Sequence, residues 1–181
     1  MPAAADGAFA MGWNPSVQNY TVQDDFLTAA DSPDGGTGWY NDTTGDPSTT
    51  TCAPGGAFFY FNPNATASIT FVGEVPQGSL SSPIPANYSL CSALVPSSPP
   101  LTAASGFPGV DGMFYQTFNG TSQTYSGLWD YLTAADSPDG GTGWYDDTTG
   151  SPVTPTPAPG VGYFIFNPGA AVQWNMTFNV Q

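Results

Sequence analysis

The amino-acid sequence predicts an all-β chain, built as two pseudo-symmetric tandem repeats of short antiparallel strands in a sandwich or barrel. Three observations carry that expectation. The stretch LTAADSPDGGTGWY occurs twice, at 27–40 and again 105 positions later at 132–145, and such internal repetition marks a duplicated structural unit. The 181 residues include 22 glycines and 19 prolines, which cut the chain into pieces shorter than stable helices need. Apolar residues also recur at every second position in several short runs, the period of a half-buried strand.

The same offset extends beyond the identical stretch. Asp6, Gly7, Phe9 and Tyr20 recur as Asp111, Gly112, Phe114 and Tyr125, while Phe59, Phe61, Asn62 and Pro63 recur as Phe164, Phe166, Asn167 and Pro168. The register then slips by two, aligning 69–71 with 176–178. The predicted organisation is a first β repeat over 1–75, a connecting segment over 76–110, and a second β repeat over 111–181. Repeats of roughly 70 residues lie near the lower limit for independent folding, so the two are expected to share a core or pack tightly.

Taken in order, Phe9, Met11 and Trp13 share one face of a strand. Asn14-Pro15-Ser16 turns the chain, and Val17, Tyr20 and Val22 return it as a hairpin. The second copy places Asn119-Gly120 at that turn, a strong two-residue hairpin signal, so the two turns are expected to differ. Asp31-Ser32-Pro33-Asp34-Gly35-Gly36 is dense turn chemistry. A strand begins at Gly38-Trp39-Tyr40, and the Thr/Pro runs at 48–54 and 153–159 read as extended connections. Strands are expected at 57–61 and 68–75, with Gly55-Gly56 marking a close backbone approach or a bulge. In the connecting segment PQGSLSSPIP reads as loop, and alternation over 87–95 (NYSLCSALV) predicts a strand.

The charge inventory narrows the chemistry. There are fourteen acidic residues and no Lys, Arg or His. The chain cannot form an internal side-chain ion pair, and its carboxylates only repel one another. Nucleic acid is excluded as a partner, because phosphate binding draws on protein cations. No run of about 18 apolar residues is present to span a bilayer as a helix. Without His or Lys, catalytic triads, Schiff bases and P-loops are excluded as well, leaving only paired carboxylates as catalytic candidates. The chain is expected not to be an enzyme.

Gly-Ala-Phe-Phe-Tyr-Phe-Asn-Pro at 56–63, Thr-Phe-Val-Gly-Glu-Val-Pro-Gln-Gly at 70–78 and Tyr-Ser-Leu at 88–90 resemble a pattern of uncharacterised secreted bacterial β-rich repeat proteins. Those proteins usually show Gly-X-Gly-Phe-Phe and then a Tyr-Ser-Leu-Val-Gly-Ser strand, so Cys91 stands where valine is usual. The resemblance covers most of the chain. It implies a secreted, extracellular or cell-surface location and brings no catalytic residue with it.

Four groups of residues are candidates for a site. Asp31, Asp34, Asp136 and Asp139 lie in Gly-rich turns, where they act either as turn formers or as hard oxygen ligands for calcium, the cation their chemistry suits. Cys52 and Cys91, the only cysteines, are expected to form a disulfide, the alternative being two buried thiols. Six of the asparagines, Asn19, Asn41, Asn64, Asn87, Asn119 and Asn175, begin Asn-X-Ser/Thr sequons and are candidate glycosylation sites. Trp39, Tyr40, Trp144 and Tyr145 flank the acidic turns, either as core anchors or as a carbohydrate-contacting face. The expected function is structural: a secreted subunit that self-associates through strand edges or termini into a filament or surface layer. The alternative is an extracellular carbohydrate-binding module using exposed Trp39 and Trp144.

Overall fold

The computed structural model describes residues 4–64 and 74–180. In chain order the strands are β1 (Phe9–Asn14), β2 (Asn19–Tyr20), β3 (Asp24–Leu27), β4 (Gly38–Asn41), β5 (Phe58–Phe61), β6 (Gly78–Ile84), β7 (Asn87–Cys91), β8 (Met113–Asn119), β9 (Thr124–Tyr125), β10 (Trp129–Leu132), β11 (Gly143–Asp146), β12 (Pro152–Val153), β13 (Tyr163–Asn167) and β14 (Val172–Phe178). A short 3-10 helix occupies Ala103–Ser105. Among the described residues the protein is therefore all-β, with several antiparallel sheets and none of them closed. The barrel alternative gives way to open sheets.

The chain divides into two compact units. The first comprises the described residues of Met1–Asn14, Asn19–Ala53 and Phe58–Glu74, and the second those of Pro15–Gln18, Pro54–Ala57 and Val75–Gln181. In the first unit β1 lies between β5 and β3, β4 follows β3, and β2 pairs with the far end of β1. In the second unit the order is β12-β11-β10-β8-β13-β7, with β9 on the end of β8 and a separate ribbon of β6 and β14. Strand pairings recur at the sequence offset: Phe9 opposite Phe61 becomes Phe114 opposite Phe166, and Asp25 opposite Tyr40 becomes Asp130 opposite Tyr145.

The main core belongs to the second unit. Strand alternation puts Met113, Tyr115, Tyr131, Trp144, Tyr163 and Ile165 on one sheet face, and they cluster with Ile84 and Trp174 of the ribbon and with Leu101 and Phe107 of the connecting segment. Trp144 is 2% exposed, and its indole N–H donates to the Leu101 carbonyl at 2.7 Å. The polar edge of a large buried ring is thereby satisfied. On the corresponding face the first unit carries Ala8, Ala10 and Asp24 where the second has Met113, Tyr115 and Trp129. At those three positions the first copy has small or acidic side chains, while Phe26, Trp39 and Tyr60 keep the rest of that face aromatic.

Four expectations need correction or extension. PQGSLSSPIP is not a loop, because Gly78–Ile84 is a strand paired with β14 along its whole length. Its alternation was hidden because Gly78 and Ser82 take inward positions that larger apolar residues usually hold, and a two-stranded ribbon tolerates Pro83 as a central strand would not. The predicted strand over 87–95 ends at Cys91 and joins the second unit's sheet through β13. The two hairpin turns do not differ: each spans four residues, with the left-handed residue at Gln18 (φ 54°) and at Gln123 (φ 55°). Asn119-Gly120 is not a two-residue turn. Instead Asn119 Oδ1 accepts the Thr121 and Ser122 N–H groups at 2.9 and 3.1 Å. Strands β3 and β10 were not anticipated. The expected strand over 68–75 lies outside the described residues except for Glu74 and Val75, which are not in a strand.

Trp144→Ala is expected to destabilise the protein by about 3–5 kcal/mol, the cost of removing a buried aromatic together with its cavity. Trp39→Ala, at a half-buried position, is expected to cost less. Urea denaturation of the two variants beside the wild type measures the difference.

Candidate functional site: the duplicated acidic turn and its carboxyl pairs

The turn after β3 is held by its own side chains. Asp6 Oδ1 accepts the Thr28 N–H at 2.8 Å, Thr37 Oγ1 accepts the Ala29 N–H at 3.1 Å, and the Ser32 hydroxyl donates to the Gly36 carbonyl at 2.6 Å. Asp34 Oδ1 accepts both the Gly36 N–H at 2.9 Å and the Tyr40 hydroxyl at 2.5 Å. Gly35 sits at φ 74°, a backbone region that suits glycine. The second copy repeats each bond to within about 0.1 Å: Asp111 to Thr133 at 2.7 Å, Thr142 to Ala134 at 3.1 Å, Ser137 to Gly141 at 2.6 Å, and Asp139 to Gly141 at 2.9 Å and Tyr145 at 2.5 Å. Fourteen identical residues specify one geometry twice.

The electrostatics follow from those donors. The Tyr40 and Tyr145 hydroxyls, and then the Gly36 and Gly141 N–H groups, hold Asp34 and Asp139 below the usual carboxylate range. The same bonds push the two phenols up. Asp31 and Asp136 accept from the Thr28 and Thr133 hydroxyls at 3.4 and 3.5 Å. Among the described residues no group of three His, Cys, Asp or Glu side chains is gathered. Asp34 and Asp139, and at longer range Asp31 and Asp136, accept hydrogen bonds from their own loops, as turn-forming aspartates do.

A second acidic feature was not singled out from the sequence. In β10 and β11, Asp130 lies opposite Tyr145 and the Asp147 N–H donates to the Leu128 carbonyl at 3.1 Å. Asp130 and Asp147 are therefore diagonal neighbours on one sheet face. Burial, and then the charge of Asp147, push Asp130 up to about 6, and Asp130 Oδ1 is buried with no protein donor. One proton shared between two carboxyls so placed would satisfy both. The first copy repeats the pair as Asp25 and Asp42, and Asp25 is likewise raised, chiefly by burial. There Gln23 donates to Asp25 Oδ1 at 2.6 Å, whereas Leu128 occupies the matching position and has nothing to donate. The sequence signal was the recurrence of Asp25 and Asp42 at the repeat offset.

The remaining candidates are dispersed. Tyr40, Trp144 and Tyr145 are buried, at 4%, 2% and 4% exposure, and Trp39 is half-buried with Phe26 and Tyr60 rings edge-on to it. Tyr40, Trp144 and Tyr145 therefore present no exposed stacking face, and Trp39 is the one of the four that keeps partial exposure. Cys52 is exposed and Cys91 half-buried, and both are free thiols. The expected disulfide is absent: Cys91 is built into β7 opposite Tyr163, where burial pushes its thiol up to about 12. Of the sequon asparagines, Asn19, Asn64, Asn87, Asn119 and Asn175 are exposed. Asn41 is half-buried, its Oδ1 accepting the Thr43 and Thr44 N–H groups at 3.0 Å each.

The two kinds of carboxyl have opposite pH signs. Asp130, raised in the fold, costs nothing below its ordinary value of 3.8, costs progressively more up to about 6, and carries its full cost above that. Asp34, Asp139 and Asp146, lowered in the fold, stabilise it above their ordinary value and lose that contribution as pH falls through it. The melting temperature is thus expected to rise between about pH 7 and pH 5 and to fall below about pH 4. Asp130→Asn supplies a donor without a proton to share, so it should raise the neutral-pH melting temperature by a few degrees and shrink the rise on acidification. Calorimetry across that range checks both signs. An unchanged profile for Asp130→Asn would remove the shared proton.

No protein family, curated protein or solved structure matches the chain, so the functional reading rests on these residues.

Proposed function

We propose that the chain is a secreted structural subunit that self-associates into an extracellular filament or surface layer. The observation that carries this reading is the use made of the most strictly repeated stretch. Its Asp, Ser, Thr and Tyr side chains bond within the stretch, to one another or to its own backbone, in both copies, which suits a turn module better than a ligand-binding loop. Among the described residues the sheets are open, so strand edges remain at their ends, and unpaired edges are the usual route by which β chains add to one another. The recurrence of pairings at the 105-residue offset supports a chain of two pseudo-symmetric repeats. Secretion follows from the resemblance to secreted β-rich repeat proteins, and the five exposed sequons suit a glycosylated outer surface.

Among the described residues no helix is long and apolar enough to cross a membrane.

Electron microscopy and sedimentation of the purified protein test the proposal. Regular polymers or sheets are the expected outcome, growing with protein concentration and with added salt as the repulsion of net charge −14 is screened. Monodisperse small particles under all of these conditions would sink it. Intact mass, before and after glycosidase treatment, separately reports whether the exposed sequons are used.

A further inference from the structure

We infer that copies of this chain join through the β6–β14 ribbon, by an extended segment of one copy seated in the groove along β14 of another. The inference deepens the proposed self-association and rests on it. Beside the ribbon is an open groove of ≈ 640 Å³. Leu80, Met176 and Phe178 of the ribbon form one wall, and Val95, Pro99 and Ser105 of the connecting segment form the other. The apolar face that buries Ile84 and Trp174 at one end of the ribbon continues to these residues at the other, where Leu80, Met176 and Phe178 are only half-buried.

The backbone of β14 is presented to that groove. Gly106 lies so close to the Asn175 carbonyl oxygen that a Cβ on Gly106 would collide with it, so this carbonyl points to the side opposite β6. In an antiparallel strand the N–H and C=O of one residue point the same way, and alternate residues repeat the direction. Thr177, two residues on, therefore directs its N–H and C=O away from β6 as well. Beyond the cover of Ser105 and Gly106, that edge is placed to pair with an incoming strand.

Charge selects the occupant. Each copy carries −14 and no basic side chain, so two copies meeting through their acidic turns would be repelled with nothing to offset it. The groove is lined by no carboxylate, and the chain holds none over 75–110 or 148–181. A second copy can bring a carboxylate-free extended segment here without that repulsion. A basic partner would find no carboxylate in the groove to bind.

The experiment places charge or a missing donor in the groove and compares polymer formation. Ser79→Asp with Ser97→Asp puts carboxylates on both walls, Thr177→Pro removes the edge N–H, and Thr50→Asp with Thr51→Asp adds the same two charges at exposed positions in the first unit. The concentration at which polymers sediment is expected to rise at least tenfold for both groove variants and much less for the control pair. Thermal melts verify that each variant is folded, and either groove variant alone suffices if the other is not. Folded groove variants that polymerise like the control would overturn this interface and leave the filament proposal standing. A wild-type chain that never polymerises would overturn both, and neutral oligosaccharide bound in the groove and displaced by Ser79→Asp with Ser97→Asp would overturn the second-copy occupant.

Discussion

Fourteen carboxylates with no cation to meet them is the constraint on which this structure depends. A protein with Lys and Arg can neutralise a carboxylate with an ion pair, and this chain has to use neutral donors, protons or distance. The first two are visible. Asp34 and Asp139 take tyrosine hydroxyls and backbone N–H groups. Asp146 takes the Thr148 and Thr149 N–H groups at 3.0 and 2.9 Å. Asp130, with no donor beside it, stays poised to hold a proton up to about pH 6. The turns are rigid largely because their acidic groups had to be satisfied locally.

The two copies show how the same backbone can be filled differently. Pairings of β1, β3, β4 and β5 recur in β8, β10, β11 and β13 at the sequence offset, yet the side chains on one face have diverged. Tyr115 and Trp129 stack in the second unit with ring centroids 5.4 Å apart, where the first unit has Ala10 and Asp24. Asp24 is 2% exposed and its Oδ1 has no protein partner, so a polar group sits where the second copy has built its core. By contrast, the opposite face keeps its aromatic pairs: Phe9 on Phe61 at 4.8 Å corresponds to Phe114 on Phe166 at 5.4 Å. Duplication preserved the hydrogen-bonded frame, and the apolar filling on one face was free to change.

Much of this was legible in the residues, for identifiable reasons. Turn positions were readable because Asp, Ser, Pro and Gly specify backbone geometry locally, as at 31–36 and 136–141. Strand β5 was readable as a run of four aromatics, and β1 from the spacing of Phe9, Met11 and Trp13. What escaped was of two kinds. Strand β6 (GSLSSPI) and strands β3 and β10 (DDFL and WDYL) alternate with small or acidic residues, so their pattern lacks contrast. The carboxyl pairs escaped because Asp130 and Asp147 are 17 positions apart and meet only through the β10–β11 register. Residues flanking the acidic turns looked like a ligand surface until burial placed Tyr40, Trp144 and Tyr145 inside.

By itself the sequence determined the duplication, the all-β class, the turn chemistry and the lack of any basic side chain. These are properties of composition, spacing and local backbone preference, which do not need distant contacts to be expressed. Tertiary structure alone decided which copy owns the core, that Cys52 and Cys91 remain free thiols, and which aspartates face each other. It also decided that β6 and β14 form a separate carboxylate-free ribbon. The facing of the aspartates and the make-up of the core depend on strand register and on which sheet face is covered, and a one-residue change of register would move a strand's side chains to the opposite face.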